Sequence, residues 1–304
     1  MTFTVHPVPS MGAEDVVVSA EGVVYTGTED GAIWAVDAGT GSARRVADTG
    51  GRPLGLEMLP SGHLLVCDAQ RGLLQVHQAR GTVEVLVDRV EGQEMRFCNN
   101  AAVGADGTIW FSDSSLHFGI AQWKDDFVQH TRTGRLLRRD PDGTVTVVLT
   151  GLAFANGVAL SADESYVAVA ECRGRTVVRL WLAGPRAGQR DHLVTDLPGY
   201  PDNISRGSDG LVWVAVASPV DPLVERLGSA PMVLRKAVTR IPEALQPRPK
   251  HTIRVQAYDD AGRLVHDLDI DHPGYHMVTG VREHDGKVWM GSLHEPSVAV
   301  YDLA

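Results

Sequence analysis

The chain is poor in cysteine, and the cysteines it has stand far apart. Cys67, Cys98 and Cys172 are the three among 304 residues. An odd number of widely spaced cysteines fits neither a disulfide framework nor a zinc cluster, so we expect buried, reduced thiols. Long apolar runs are missing as well. No stretch of about 18 apolar residues occurs, so no membrane span is expected.

Basic residues are in the minority. The 28 Lys and Arg against 38 Asp and Glu give a formal net charge of −10, which argues against a nucleic-acid partner. The first residues, MTFTVHPVPSMGAED, lack the basic start and apolar core of a signal peptide, so we expect a cytoplasmic location. The hydrophobic content of 43% describes a globular protein with ample core. Composition alone leaves the oligomeric state unknown.

A repeat of short, β-prone runs fills the chain. Six turns, near residues 21, 61, 106, 163, 209 and 285, each separate two apolar runs, and a third and usually a fourth run follow. Four short strands joined by Asp-Gly-type hairpins form the blade of a propeller. We therefore predict that residues 1–304 form a single all-β domain, a six-bladed β-propeller. A large β-sandwich would explain the hairpins but not six repeats in register.

The two ends of the repeat pattern predict how the propeller closes, and two breaks within it indicate insertions. The last unit stops after its third strand, at Tyr301, and TFTVHPV near the start has the character of the missing fourth strand. Insertions interrupt unit three near 114–134 and unit five near 219–250. Leu234, Val238 and Ile241 recur at helical spacing, which predicts a short helical insertion in blade five. This insertion could be a lid, a contact surface or a solvated cover.

Polar residues open four of the innermost-strand runs at the same place. The four runs are EDVVVSAEG, NNAAVGADG, NGVALSADE and DNISRGSDG. Around a propeller axis these positions converge, so carboxylate and amide oxygens would surround one point. Such oxygens suit a hard cation, Ca²⁺ first, with Mn²⁺, Mg²⁺ and Zn²⁺ as alternatives. The candidate ligands come from four clusters: Glu14-Asp15, Asn99-Asn100, Asn156 and Asp202-Asn203.

Catalysis at such a centre needs a base, because calcium activates water only weakly compared with zinc. Asp202 is the candidate general base or nucleophile. His117, in the unit-three insertion, and His294, in the last unit, are candidate proton shuttles, although structural histidines are common. A further set could line an apolar pocket or pack in the core: Met95, Trp123, Phe127, Tyr200 and Tyr275.

Several motifs in order resemble the calcium-dependent propeller hydrolases. FANGVALSADESYVAVAE and YPDNISRGSDGLVWVAV are similar to segments of the regucalcin/gluconolactonase family, which is related to the paraoxonases. CDAQRGLL, the E-H-D-G stretch of the last unit and the unit-five insertion resemble the strictosidine synthase-like branch. The resemblance implies an axial Ca²⁺, and the metal ligands that it predicts are Glu14, Asn99, Asn156, Asp202 and Asn203. It also implies that Asn100 stands where paraoxonases place an acidic ligand of a second, structural calcium.

The resemblance departs from two catalytic patterns. True strictosidine synthases carry a glutamate where this chain has Thr279, so amine condensation is not expected. Register places Ala69 and Ser114 where paraoxonases have a histidine pair. The sequence thus predicts a metal-dependent hydrolase acting on a small-molecule lactone or carboxylic ester. The alternatives are a non-catalytic ligand- or partner-binding propeller with structural calcium, and a biosynthetic enzyme of another reaction type.

Overall fold

The structure, a computed structural model, describes residues 2–241 and 250–303. In these residues, six four-stranded antiparallel sheets follow one another along the chain. Blade one contains β2 (Val16–Val18), β3 (Val24–Gly27), β4 (Ala32–Val36) and β5 (Ala43–Asp48). Blade two contains β6 (Pro53–Met58), β7 (Leu64–Asp68), β8 (Gly72–His77) and β9 (Thr82–Val87). Blade three contains β12 (Cys98–Val103), β13 (Ile109–Asp113), β14 (Gly134–Arg139) and β15 (Val145–Leu152).

The second half repeats this order. Blade four contains β16 (Ala155–Leu160), β17 (Tyr166–Glu171), β18 (Thr176–Trp181) and β19 (Arg190–Val194). Blade five contains β20 (Gly199–Arg206), β21 (Val212–Pro219), β22 (Ile253–Tyr258) and β23 (Leu264–Ile270). Blade six contains β24 (Val278–His284), β25 (Lys287–Ser292), β26 (Ser297–Asp302) and β1 (Phe3–Pro7). A small hairpin, β10 (Arg89–Val90) and β11 (Gln93–Glu94), lies between blades two and three.

The first strand closes the ring. β1 pairs antiparallel with β26, in a register that runs from Phe3 opposite Tyr301 to Pro7 opposite Ser297. The first strands of successive blades contact one another, and β2 contacts β24, so the six sheets surround an axis. The predicted six-bladed propeller and its closure by the N-terminal strand are both confirmed. Pairing of the outer edge of blade six also removes an open strand edge.

Apolar packing between blades explains why the strands read as nearly unbroken apolar runs. Six apolar clusters each join two neighbouring blades. The cluster between blades four and five, for example, packs Tyr166 and Ala168 against Ile204 and Val212. Because each middle strand is covered on both faces, all six residues of β17 are buried. Met95 and Tyr275 belong to such clusters rather than to a pocket.

Within the described residues, three α-helices rise from the two insertions. α1 (Trp123–Gln129) follows a 3₁₀ turn (Ile120–Gln122) between β13 and β14. α2 (Pro222–Gly228) and α3 (Met232–Val238) lie between β21 and β22, and they confirm the helical insertion in blade five. Asp221 caps α2 by accepting hydrogen bonds from the backbone of Leu223 and Val224. A second 3₁₀ turn (Gly184–Arg186) joins β18 to β19.

The helices are joined to one another and to the blades. The Arg235 guanidinium on α3 donates to the Gln129 carbonyl at the end of α1, over 2.7 Å. Buried Arg173 donates to the Glu225 carboxylate and the Val224 carbonyl on α2, both at 2.8 Å. The Tyr200 hydroxyl reaches the same carboxylate at 2.9 Å. The end of the predicted 219–250 insertion falls partly on residues 242–249, which lie outside the described residues. No helix among the described residues has the length and apolarity needed to cross a membrane.

Candidate metal centre

Each blade contributes one side chain to a ring around the axis. In blades one to four and in blade six, this residue lies at or just before the beginning of the innermost strand. In blade five it lies within that strand. All six line a single cavity of about 590 Å³. In blade order the ring consists of Glu14, Leu54, Asn99, Asn156, Asp202 and Thr279. Four of the five predicted metal ligands are therefore brought together, and Leu54 and Thr279 complete the circle.

The residue after each ring position alternates in type around the molecule. Blades one, three and five carry Asp15, Asn100 and Asn203, whereas blades two, four and six carry glycine. A Cβ atom at Gly157 would lie 2.0 Å from the Ile204 nitrogen and 2.6 Å from the Asn203 Cα. A Cβ atom at Gly55 would lie 2.6 Å from the Asn100 Cα, and one at Gly280 would lie 2.6 Å from the Asp15 Cα. Glycine in every second blade thus leaves room for the polar residue of its neighbour.

The polar residues below the ring form a network between blades. Asp15 accepts hydrogen bonds from the Leu56 backbone nitrogen, at 3.0 Å, and from the Asn100 amide, at 3.3 Å. The Asn100 amide oxygen accepts from the Val158 nitrogen at 2.9 Å. Asn100 therefore uses both ends of its amide to connect blades one, three and four. Its position, where the resemblance implied a ligand of a second calcium, carries hydrogen bonds between blades.

Three buried amide oxygens at the centre have no hydrogen-bond partner. They are the Oδ1 atoms of Asn99, Asn156 and Asn203. The Asn99 amide nitrogen donates to Ser114 Oγ at 2.9 Å, and Ser114 donates to the Ala155 carbonyl at 2.6 Å. The Asn203 amide nitrogen donates to both Glu14 oxygens, at 3.1 and 3.3 Å. A buried acceptor without a partner costs about 1–3 kcal/mol, so three together call for a cation.

Two carboxylates complete the set of oxygens. Burial raises the pKa of Glu14 well above its usual range, and the nearby charges of Asp15 and Asp202 raise it further. Burial also raises the pKa of Asp202 to about 7, although a hydrogen bond with Asn156 opposes the shift. Crowded carboxylates of this kind are stabilised in their charged form by a bound cation.

The donor set fits a hard divalent cation. The described residues contain no cluster of three or more His, Cys, Asp or Glu side chains that could hold a metal. This is expected for a centre with two carboxylates whose other oxygens come from amides. Amide and carboxylate oxygens are typical ligands of Ca²⁺, whereas zinc sites usually contain His or Cys. Asn203 lies beneath the cavity, beside Glu14, rather than among its lining residues.

The two predicted histidines are placed differently. His294 lines the cavity, whereas His117 is not among its lining residues and packs beside Phe118. The His294 ring centroid is 5.5 Å from that of His276, whose Nδ1 is hydrogen-bonded to Glu295. Burial, followed by the charge of His276, lowers the pKa of His294. His294 is therefore neutral at neutral pH and can accept a proton.

An apolar cluster surrounds the cavity above the ring. Phe127 on α1 contacts Tyr200 edge to face, with ring centroids 4.8 Å apart, and Phe154 at 6.0 Å. Trp123 and Val224 pack against the same cluster. Trp123, Phe127 and Tyr200 thus line the cavity, as the sequence allowed. The aromatic wall and the ring together define a propeller with a polar axial centre beneath a partly covered, apolar cavity.

The chain belongs to the SMP-30/gluconolactonase/LRE-like family, whose model matches residues 16–222. It is 37% identical to the strictosidine synthase-like 10 protein of Arabidopsis thaliana over 265 residues, which cover 83% of this chain and 70% of the relative. It is 31% identical to the adipocyte plasma membrane-associated protein of Rattus norvegicus over 311 residues, covering 94% and 82%. The resemblance in the motifs is therefore confirmed.

Solved structures share the fold at low identity. A gluconolactonase from Xanthomonas campestris superposes with a TM-score of 0.72 at 16% identity, covering 99% of this chain and 89% of the other. A calcium-binding regucalcin from Agrobacterium tumefaciens superposes with a TM-score of 0.68 at 12% identity, covering 98% and 91%.

Proposed function

We propose that the protein is a metal-dependent hydrolase that opens a lactone or carboxylic ester in the axial cavity. The observation that carries the proposal is the centre itself, in which three buried amide oxygens without partners lie with the buried Glu14 and the half-buried Asp202 carboxylates. Membership of a family that includes gluconolactonases supports this reaction class.

Calcium is the cation that we propose for the centre. Glu14, Asn99, Asn156 and Asp202 would hold it, and Asn203 would hold Glu14 in place and offer a fifth oxygen. Mn²⁺ and Mg²⁺ share the preference for oxygen, whereas Zn²⁺ suits this set least, because neither His nor Cys belongs to it. When bound, the cation supplies Lewis-acid polarisation of the carbonyl group.

The proton transfers belong to two side chains. Asp202 lines the cavity, keeps some exposure and can take a proton from an attacking water as its carboxylate. Neutral His294 lies beside the same space, where it can accept a proton or hydrogen-bond the leaving oxygen. Because His117 does not line the cavity, we assign it no contact with the substrate.

Thr279 argues against chemistry of the strictosidine synthase type. Its side chain lies in the ring, but the hydroxyl donates to the Glu14 carbonyl at 2.8 Å. A hydroxyl bonded in this way offers neither the charge nor the basicity of a glutamate. Thr279, the ring residue of blade six, therefore stabilises the position of the Glu14 backbone.

The test is hydrolysis of γ- and δ-lactones and aryl esters, followed by proton release, with metal content measured on the same sample. We expect activity in the calcium-loaded protein, loss on chelation, and recovery when calcium is returned. Glu14→Gln should weaken calcium binding and activity together. Absence of hydrolysis across the whole panel by protein with a full complement of metal would contradict the proposal and favour a binding role.

A further inference from the structure

The helical insertions stand over the same end of the channel as the metal centre. In blade three, Cys98 at the start of the first strand pairs with Asp113 at the end of the second. In blade five, Gly199 pairs with Pro219 in the same way. Each insertion leaves its blade at the end of the second strand, beside the start of the innermost strand. The insertions therefore form a roof over the ring.

The roof presents apolar side chains to the cavity. From α1 to α3 these include Trp123, Phe127, Leu223, Val224, Leu227 and Val238. The insertions also bring six polar residues to the cavity: Gln122, Lys124, Asp125, Ser218, Asp221 and Thr239. Three of them are bonded to the backbone of the insertion, since Asp221 caps α2, Ser218 donates to the Pro219 carbonyl and Thr239 donates to the Lys236 carbonyl. The other three lie together at the beginning of α1, so the part of the roof formed by α2 and α3 is mainly apolar.

Two apolar wall residues adopt an unfavourable backbone conformation. Phe154 has φ 62° and Met277 has φ 52°, in the left-handed region that side chains rarely adopt. Both line the cavity, and each directly precedes an innermost strand. Such a conformation costs about 1–3 kcal/mol and persists only where the surroundings impose it. At both positions it places a large apolar side chain in the wall.

Resting on the proposed hydrolase function, we propose that the substrate carries an apolar alkyl or aryl group that lies under the roof. Its lactone or ester carbonyl lies on the ring. A cavity of about 590 Å³ has room for both parts. A polyhydroxylated sugar lactone would need a partner for each hydroxyl that it buries, and the mainly apolar side chains that α2 and α3 turn to the cavity do not provide them.

The test compares γ-butyrolactone, γ-octalactone and γ-decalactone with glucono-δ-lactone in the calcium-loaded protein. Each methylene buried under the roof should raise kcat/KM by up to about fourfold. Glucono-δ-lactone should be the poorest substrate of comparable size. In parallel, the alkyl lactam analogues, which resist hydrolysis, are titrated by calorimetry with and without chelator. Their affinity should also rise with chain length.

A matched pair of variants on one helix tests the roof directly. Val238 lines the cavity, whereas Val233 on the same helix is 78% exposed and does not. Val238→Asn should lower the ratio of kcat/KM for γ-decalactone to kcat/KM for γ-butyrolactone about tenfold, since only the long chain reaches this side chain. Val233→Asn should leave that ratio as it is in the parent protein.

The outcomes separate the two proposals. Hydrolysis that is indifferent to chain length, or fastest with glucono-δ-lactone, overturns the apolar substrate and leaves the hydrolase intact. If the calcium-loaded protein cleaves no lactone or ester, the proposed hydrolase function is wrong. The lactam titration still shows whether the roof binds an apolar chain. Lactam affinity that does not vary with chain length overturns the roof inference in either case.

Discussion

At the scale of single residues, the orientation of the amides decides whether the centre can hold a cation. Asn99 offers its oxygen because Ser114 occupies its nitrogen. Asn203 does the same by donating to Glu14. An amide free to rotate would present its NH₂ group to a cation for part of the time. Outer hydrogen bonds of this type commonly change metal affinity by about 10- to 100-fold.

We predict that Ser114→Ala lowers calcium affinity within that range, because the Asn99 amide loses the bond that orients it. Calorimetric titration with calcium measures the effect. Ser112→Ala is the matched control. Ser112 lies two residues earlier, on β13, and is equally buried, but it bonds the Asn100 backbone rather than a ligand side chain. Equal losses of affinity in the two variants would contradict the orienting role.

Asp202→Asn separates the ligand role from the base role. The amide keeps an oxygen for the metal but cannot accept a proton, so kcat should fall by about 10²- to 10⁴-fold. Metal content and melting temperature are measured on the same sample. A variant that holds its metal and turns over like the parent would show that Asp202 is only a ligand, and His294 would become the candidate base.

At the scale of elements, close approach of the innermost strands sets the ring. The Asn156-Gly157 pair shows why: a methyl group at Gly157 would overlap the backbone of blade five.

We predict that Gly157→Ala lowers the melting temperature and also weakens calcium binding, because β16 and β20 must separate. Gly39→Ala is the control, since Gly39 is exposed and its added carbon would be 3.4 Å from the nearest atom outside its chain neighbours. Denaturant unfolding compares the two variants. Equal stability of the two would refute this account of the close approach.

The strands were predictable from the sequence, whereas the details of the ring were not. Turn signals and β-prone runs predicted six blades, since both are local properties of the chain. Leu54 was missed because an apolar residue gives no polar signal. The glycine that follows it, shared with Asn156 and Thr279, is the signal that could have identified it. The α1 helix was not predicted, since its seven residues are held by contacts with α3 and the blades.

The placement of long-range partners explains the remaining differences. The sequence does not distinguish His117 from His294 as a candidate proton shuttle. The structure does, because His294 lines the cavity and His117 does not. The alternation of polar residues and glycines could be read from the sequence, but its meaning depends on which blades are neighbours. Patterns within a blade are therefore predictable from sequence, whereas packing across blades needs coordinates.

At the scale of the whole molecule, metal binding should govern how stability depends on pH. In the metal-free protein, burial raises the pKa of Asp202 from 3.8 to about 7. The folded state then keeps a proton that the unfolded state has released. The free energy of unfolding should therefore fall as pH rises from about 4 to about 7. Bound calcium favours the carboxylate and should remove this loss.

Urea unfolding across that pH range, with calcium and with chelator, tests the prediction. The difference between the two curves should widen as pH rises, and at 100 times Kd calcium adds about 2.7 kcal/mol. Asp202→Asn, which lacks one of the titrating groups, should make the chelated curve less steep, and the raised pKa values of Glu14 and Asp15 keep the rest of the slope. Parallel curves for the loaded and chelated protein would count against a metal at this centre.

The ring and its roof together make the cavity handed. Around the axis the six ring side chains occur in a fixed order: carboxylate, leucine, two amides, carboxylate and threonine. In the part of the chain that the structure describes, the α-helices rise only from blades three and five. The channel axis, the uneven distribution of charge around the ring and the one-sided roof together leave the cavity without a mirror plane. The two enantiomers of a substrate therefore contact different side chains. We expect racemic γ-decalactone to leave one enantiomer in excess, measured by chiral chromatography of the unreacted lactone. A racemic remainder would mean that the substituent turns freely above the ring.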